Sequence, residues 1–225
     1  MAPRSAGDRD VVYGRNAVAE ARSGRRRVHK EWTSDELPAS ELTRLAGSPD
    51  HQGIVAEVDP YPYADPSTLL AAPDALVVAL DQVQDPRNLG AVCRAAEVAG
   101  AAGVVIPARR TARVTAVACK ASAGAVEHLP VATATNLATW LAEAKRAGAW
   151  VYGARAGAPT RYDAVDWHGR VVLVLGGEGK GIRPRVAGAC DAMVEIPRAG
   201  RVGSLNVAAA ASVLLFEAMR QRRAG

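Results

Sequence analysis

The sequence predicts an α/β fold in which a parallel sheet is covered by helices on both faces, and three observations carry that expectation. Beyond Asp74, short apolar runs alternate with helix-length segments. The runs are apolar throughout rather than alternating, as strands buried on both faces must be. Three of them, ending at Leu80, Leu175 and Ile196, open into polar or glycine-rich turns, and open α/β sheets bind ligands at such carboxyl ends.

In chain order, the first sixty residues differ from the rest. Residues 1–30 hold eight Lys/Arg (Arg4, Arg9, Arg15, Arg22, Arg25, Arg26, Arg27 and Lys30) against Asp8, Asp10 and Glu20, an excess of five that equals the net charge of the whole chain. Such a segment suits phosphate neutralisation, which gives affinity without sequence information, although a solvated basic tail has the same composition. A short helical pattern covers 16–21, a basic turn follows, 31–50 is polar, and 53–58 reads as one strand. That is thin material for an independent core. Pro60, Pro62, Pro66 and Pro73 then mark an extended linker, because each proline removes a donor and restricts its predecessor. The expected division is a segment over 1–60, a linker over 61–73 and a main domain over 74–225.

In the main domain, strands are expected over 76–80, 103–106, 127–131, 149–154, 171–175 and 192–196. Helices are expected over 89–99, 115–121, 137–147, 184–189 and 205–222. The last helix aligns Leu205, Ala208, Ala209, Ser212, Phe216 and Met219 at three- to four-residue spacing. Such a stripe serves the core or, through its alanine-rich middle, close approach by another backbone.

Composition narrows the function classes. With 49% apolar and 23% charged residues, the chain has the make-up of a folded globular protein. The longest nearly apolar run, residues 207–216, falls well short of the roughly 18 residues that span a bilayer. The stretch from Met1 to Asp8 lacks the apolar centre of a secretory signal, so a cytoplasmic protein without a membrane segment is expected. Cys93, Cys119 and Cys190 are widely spaced and sit in no Cys/His cluster, which predicts buried thiols and no metal site.

Three constellations carry chemistry. Residues 80–94 form a strand end, a polar turn and a helix start, with Asn88 placed to cap that helix and Arg94 one and a half turns further on. A forked guanidinium there suits a phosphate. Residues 171–181 run from a buried strand into Gly-Gly-Glu-Gly-Lys-Gly, with Gly176 at the start and Glu178 inside. The spacing fits neither a phosphate loop nor a dinucleotide fingerprint, which leaves a tight turn or a ligand loop of another kind. Residues 196–207 contain Ile196-Pro, then Ser204-Leu205-Asn206 before the last helix, and Ser204 or Asn206 can cap it.

Taken together and in this order, the three blocks resemble the three motifs of the SpoU (TrmH) family of RNA ribose methyltransferases, in the SPOUT superfamily. The resemblance rests on the Asn88/Arg94 spacing, the glycine turn around Glu178, and Ile196-Pro followed by Ser204-Leu-Asn206, and it spans residues 80–217. At the N-terminus, residues 13–20 and 51–57 resemble the two ends of the L30e-like RNA-recognition domain of the 23S rRNA guanosine-2′-O-methyltransferase subfamily, with the middle of that domain shortened.

The resemblance implies a SPOUT fold with a C-terminal trefoil knot, which the sequence pattern by itself does not reveal. It implies S-adenosylmethionine as cofactor, held by backbone at Gly176, Ile196 and Leu205. It also implies a homodimer acting without metal on a ribose of RNA, 23S rRNA foremost, with Arg94, Asn88, Glu178, Ser204 and Asn206 as the catalytic set. The family assigns the base to the position of Arg94, but a guanidinium with a pKa above about 12 is a poor proton acceptor. The residues themselves favour a phosphate clamp at Arg94. The rival readings are a tRNA ribose methyltransferase, a ribosomal self-protection methyltransferase, a non-catalytic RNA-binding member of the fold, and an ordinary nucleotide-binding α/β enzyme.

Overall fold

The computed structural model describes residues 9–224. The N-terminal part is a small antiparallel sheet ordered β1-β3-β2, from β1 (Asp10–Tyr13), β2 (Val28–Thr33) and β3 (Ile54–Val58), with α1 (Arg15–Ser23) and α2 (Ala39–Ala46) between them. Its own core is small: Leu42 of α2 packs on Tyr13 and Val55. Val12, Val18, Ala21, Ala56 and Val58 instead join the larger core of the rest of the chain. The sequence pattern reveals only one helix and one strand here, because β2 is a polar strand, Val-His-Lys-Glu-Trp-Thr, with no fully buried residue.

Several of the basic residues of this part pair with acids or carbonyls of the protein itself. Arg26 and Glu127 form an ion pair whose side chains are 2% and 1% exposed, with Arg26 Nε 3.0 Å from Glu127 Oε2. Burial works against the guanidinium's charge, but the hydrogen bonds and charge of Glu127 outweigh it, so the Arg26 pKa rises. Arg25 donates to the carbonyls of Val126 and Leu129 at 3.1 and 2.7 Å. Arg22 pairs with Glu31 and Arg9 with Glu57. Arg15, Arg27 and Lys30 remain exposed, and Arg4 lies outside the described residues.

Residues 61–73 are largely exposed but anchored at a few points. Tyr61 is buried and its hydroxyl donates to the Val126 carbonyl at 3.1 Å. Ala64 bridges Ala132, and a short 3₁₀ turn, Pro66–Leu70, buries Leu69 and Leu70.

The main sheet is ordered β6-β5-β4-β9-β7-β10-β8 with every pairing parallel. Its strands are β4 (Leu76–Asp81), β5 (Gly103–Pro107), β6 (Val131–Ala134), β7 (Trp150–Ala154), β8 (Thr160–Arg161), β9 (Val171–Gly176) and β10 (Ala192–Glu195). The helices are α3 (Pro86–Val98), α4 (Ala116–Ala121), α5 (Leu137–Arg146), α6 (Pro184–Ala187) and α7 (Val207–Ala224). In β4, Leu76, Val78 and Leu80 face the core shared with α3 and α7, while Val77 and Ala79 face the core shared with α5. Both faces are covered, and that is why the run is apolar at every position.

Three local expectations need correction. The strand expected over 127–131 begins at Val131; residues Ala125–Glu127 form a 3₁₀ turn that presents Glu127 to Arg26. Asn88 does not cap α3: Asp85 does, accepting from Arg87 N at 2.8 Å with Pro86 in the first turn. In α7 the buried residues are Val207, Ala211, Leu214, Leu215 and Ala218, so the stripe read from the sequence is not the buried face: Ala208 packs against the core, but Phe216 and, just before the helix, Leu205 are 41% and 48% exposed. Cys93 and Cys119 are buried as expected, whereas Cys190 is half-buried. Among the described residues no helix is long and apolar enough to cross a membrane.

Candidate active site

The register of the central strands places the first two constellations side by side, with Leu80 opposite Leu175 and Asp81 opposite Gly176. Beyond β9 the chain doubles back: Gly181 N donates to Gly177 O at 2.9 Å, and Gly177 N donates to Asp81 O at 2.7 Å. A Cβ on Gly176 would lie 2.2 Å from the Gly181 carbonyl carbon, and one on Gly177 would lie 2.2 Å from the Gln82 carbonyl oxygen. Glycine at both positions is therefore a packing requirement, set by one turn pressed on itself and on its neighbour.

Asp81 and Arg183 brace this turn, and sequence reasoning misses both. The fully buried Asp81 carboxylate accepts from Arg183 N and Nε, each at 2.8 Å. A charged residue at the end of an otherwise apolar strand is the signal that could have found them, since a buried carboxylate needs such partners.

Across this frame, Asn88 Nδ2 donates to Glu178 Oε1 at 2.6 Å. Asn206 Nδ2 lies 3.0 Å from both Asn88 Oδ1 and Glu178 Oε1. Asn206 also caps α7, its Oδ1 accepting from Ala208 N at 2.9 Å. Three of the expected site residues, one from each constellation, thus form a closed hydrogen-bonded triangle. Asn88 reaches it because it stands inside the first turn of α3, where a capping role would have engaged its side chain elsewhere.

Next to the triangle is a cavity of about 550 Å³ between the carboxyl ends of β9, β7 and β10 and the start of α7. Gly176, Ile196 and Leu205 line it, as do Glu178, Ser204 and Asn206. Its wall combines apolar side chains (Leu175, Val194, Val207) with the cations Arg155, Lys180 and Arg198, none of which the sequence pattern singles out. Arg94 is not part of the cavity wall; it is exposed on α3 and its side chain makes no hydrogen bond or ion pair with a described residue. Among the described residues no cluster of His, Cys, Asp or Glu could hold a metal ion.

Residues 75–216, which hold all of these elements, match the sequence profile of the SpoU rRNA Methylase family. The chain belongs to the SpoU family. A protein of Mycolicibacterium vanbaalenii described as an uncharacterized tRNA/rRNA methyltransferase is 49% identical over 193 residues, covering 84% of this chain and 62% of that protein. This SpoU chain therefore spans less than two thirds of that relative's length. Among solved structures, the SpoU methyltransferase AviRb from Streptomyces viridochromogenes, in complex with AdoMet, superposes with a TM-score of 0.80 at 28% identity, over 96% of this chain and 91% of that one. A putative RNA methyltransferase of the TrmH family from Porphyromonas gingivalis gives 0.79 at 30% identity, over 96% and 90%. The SPOUT architecture of SpoU methyltransferases is thus the architecture of this chain, with the parallel seven-stranded sheet as its centre.

Proposed function

We propose that the chain methylates a ribose 2′-hydroxyl in RNA, with S-adenosylmethionine as the methyl donor and 23S rRNA as the substrate. The observation that carries this reading is the Asn88–Glu178–Asn206 triangle at the edge of the cavity bounded by Gly176, Ile196 and Leu205.

The cavity suits the cofactor. Its volume of about 550 Å³ lies within the roughly 300–1,000 Å³ usual for small-ligand sites. Its mixed wall offers apolar contact for an aromatic base, with cations and hydroxyls for a zwitterionic amino-acid end. Gly176, Ile196 and Leu205 would hold it, and when bound it supplies an electrophilic methyl carbon.

The chain's own residues then have three tasks. Arg94, free of any described partner, clamps the phosphate beside the target ribose. Glu178 Oε1 is engaged by two amide donors, which fixes the carboxylate and leaves Oε2 to orient the hydroxyl. Asn206 ties the loop before α7 to the triangle and to the start of the helix, and Ser204 faces the cavity from that loop. Such positioning contributes on the order of 7–11 kcal/mol to transfers of this kind in well-organised cases.

The N-terminal sheet is assigned to RNA recognition, and the exposed side of α7 with Phe216, together with the exposed Val98 on the α3 helix that packs on α7, to a homodimer contact. Sedimentation velocity at working concentration tests the dimer; a monomer at all concentrations would remove it.

The deciding experiment is transfer of labelled methyl from S-adenosylmethionine to rRNA and tRNA lacking their own modifications, with mapping of any 2′-O-methyl formed. Label in 23S rRNA supports the reading. Label in tRNA alone, a substrate included in the relatives' description, keeps the chemistry and changes the target. No label in either overturns the catalytic assignment.

A further inference from the structure

The loop that follows β5 belongs to none of the three constellations, yet it is bonded to the first of them. Residues 108–115 contain Arg109, Arg110 and Arg113 and no acid. Thr111 Oγ1 donates to the Val83 carbonyl at 3.0 Å, and Ala112 N donates to the same oxygen at 2.8 Å. Val83 lies in the turn that leads from β4 into α3, the helix of Asn88 and Arg94. The far end of the loop is pinned as well: Val114 N donates to Tyr63 Oη at 2.9 Å, and the Arg113 guanidinium lies 4.5 Å from the centre of the Tyr63 ring.

Arg109 and Arg110 lie before these anchors and after Ala108, whose N donates to the Ala134 carbonyl at 2.8 Å, and they are exposed and pair with no described residue. Arg110 has φ 58°, the left-handed region that favours glycine. A chain that needed only a tight turn would place glycine or asparagine there; an arginine keeps the strained backbone and adds a projecting charge. Two unpaired guanidinium groups on a loop fixed at both ends are preorganised for anions.

Strand order fixes what lies beside them. β5 adjoins β4 on the side away from β9, while the cavity lies between β9, β7 and β10. The two arginines therefore flank the Asn88 turn on the side opposite the cavity. That side also leads to the N-terminal sheet, because α4, directly after the loop, packs on β1. An RNA strand with its ribose at the triangle and its flank on the N-terminal part must cross this loop.

We propose that Arg109 and Arg110 bind backbone phosphates of the substrate RNA next to the target nucleotide, as positioning residues separate from the Arg94 clamp. This rests on the reading of the chain as an RNA-modifying enzyme.

The test compares R109S/R110N with R146S/R223S, an equal charge loss at two exposed arginines elsewhere, on α5 and at the end of α7. Asn at 110 tolerates the left-handed backbone, and circular dichroism melting checks that each protein folds. Binding of transcribed, unmodified 23S rRNA and tRNA is measured by filter retention across salt concentrations, alongside single-turnover methyl transfer at saturating RNA. The expected result for R109S/R110N is an RNA affinity about tenfold or more weaker. Its log–log salt slope should be shallower by about 1.4–1.8, two phosphate contacts' worth, with transfer at saturation within about threefold of wild type. R146S/R223S should change affinity less than about twofold. Unchanged binding by R109S/R110N, or equal losses in both variants, overturns the proposal. If the wild type transfers no methyl but the binding difference appears, the phosphate site stands and the catalytic reading falls. Methyl transfer by the wild type without the binding difference leaves the catalytic reading standing and removes the phosphate site.

Discussion

Asn88 and Glu178, 90 residues apart in the chain, are joined by a 2.6 Å hydrogen bond, and Asn206 closes on both of them. Groups that share a network in this way are energetically coupled, by about 0.5–3 kcal/mol in double-mutant cycles. N88A and N206A should each lower kcat/KM for RNA by about 10- to 100-fold, while the double variant loses far less than the product of the two. Strict additivity in that cycle would show that the triangle does not act as a unit.

The position of Arg94 leads to a sharper contrast between charge and shape. Lysine keeps the charge but not the two-pronged donor geometry. R94K should therefore leave S-adenosylmethionine binding by calorimetry unchanged and lower single-turnover methyl transfer on the order of 10²-fold, the cost of misplacing a reacting group by about 1 Å. Near-full turnover at saturating RNA would refute both the clamp and any role of Arg94 as base.

Much of the main sheet is legible in the sequence because its strands are buried on both faces, so that runs such as residues 76–80 carry no competing polar signal. Polar strands give no such signal. Val28–Thr33 alternates too weakly to be read, and α7 is apolar on two sides, so residue spacing cannot decide which side meets the core. At the site, the triangle's members are legible from motif order, but their mutual contact is not. Asparagine suits a helix cap, which makes Asn88 the natural candidate for that position; Asp85, followed by Pro86, holds it instead. The basic N-terminal stretch is only partly legible for a related reason: composition gives the number of arginines, while the acid that pairs with the buried Arg26, Glu127, lies 101 residues away.

That burial leads to a stability prediction. Removing one partner of a fully desolvated ion pair leaves the other charge uncompensated, at a cost of about 3–5 kcal/mol. E127Q should destabilise the protein by roughly that amount in urea unfolding, since both side chains are at most 2% exposed. Replacing the pair with apolar residues, R26M/E127L, should restore most of the loss, because it removes the desolvation penalty along with the attraction. A loss below about 1 kcal/mol in E127Q would mean that the pair is wet in solution.

The buried thiols set a limit at high pH. Burial pushes the Cys93 thiol up to about 12 and that of Cys119 up to about 11, against about 8.5 for a cysteine in the unfolded chain. A folded-state pKa above the unfolded one gives stability that is fully present below the unfolded value and is lost as pH rises towards the folded one. Between about pH 8.5 and 11, the unfolded chain releases both protons while the folded protein keeps them. Unfolding free energy from these two groups should therefore fall by up to about 2.7 kcal/mol per pH unit, about 1.36 for each thiol. Urea unfolding of the wild type and of C93A/C119A at half-unit steps from pH 7 to 10.5 isolates this contribution. The difference between the two proteins should stay constant up to about pH 8.5 and then shrink as the wild type alone is weakened. A difference that stays constant across the whole range would show that both thiols reach solvent in the folded state, and half the expected slope would show that one of them does.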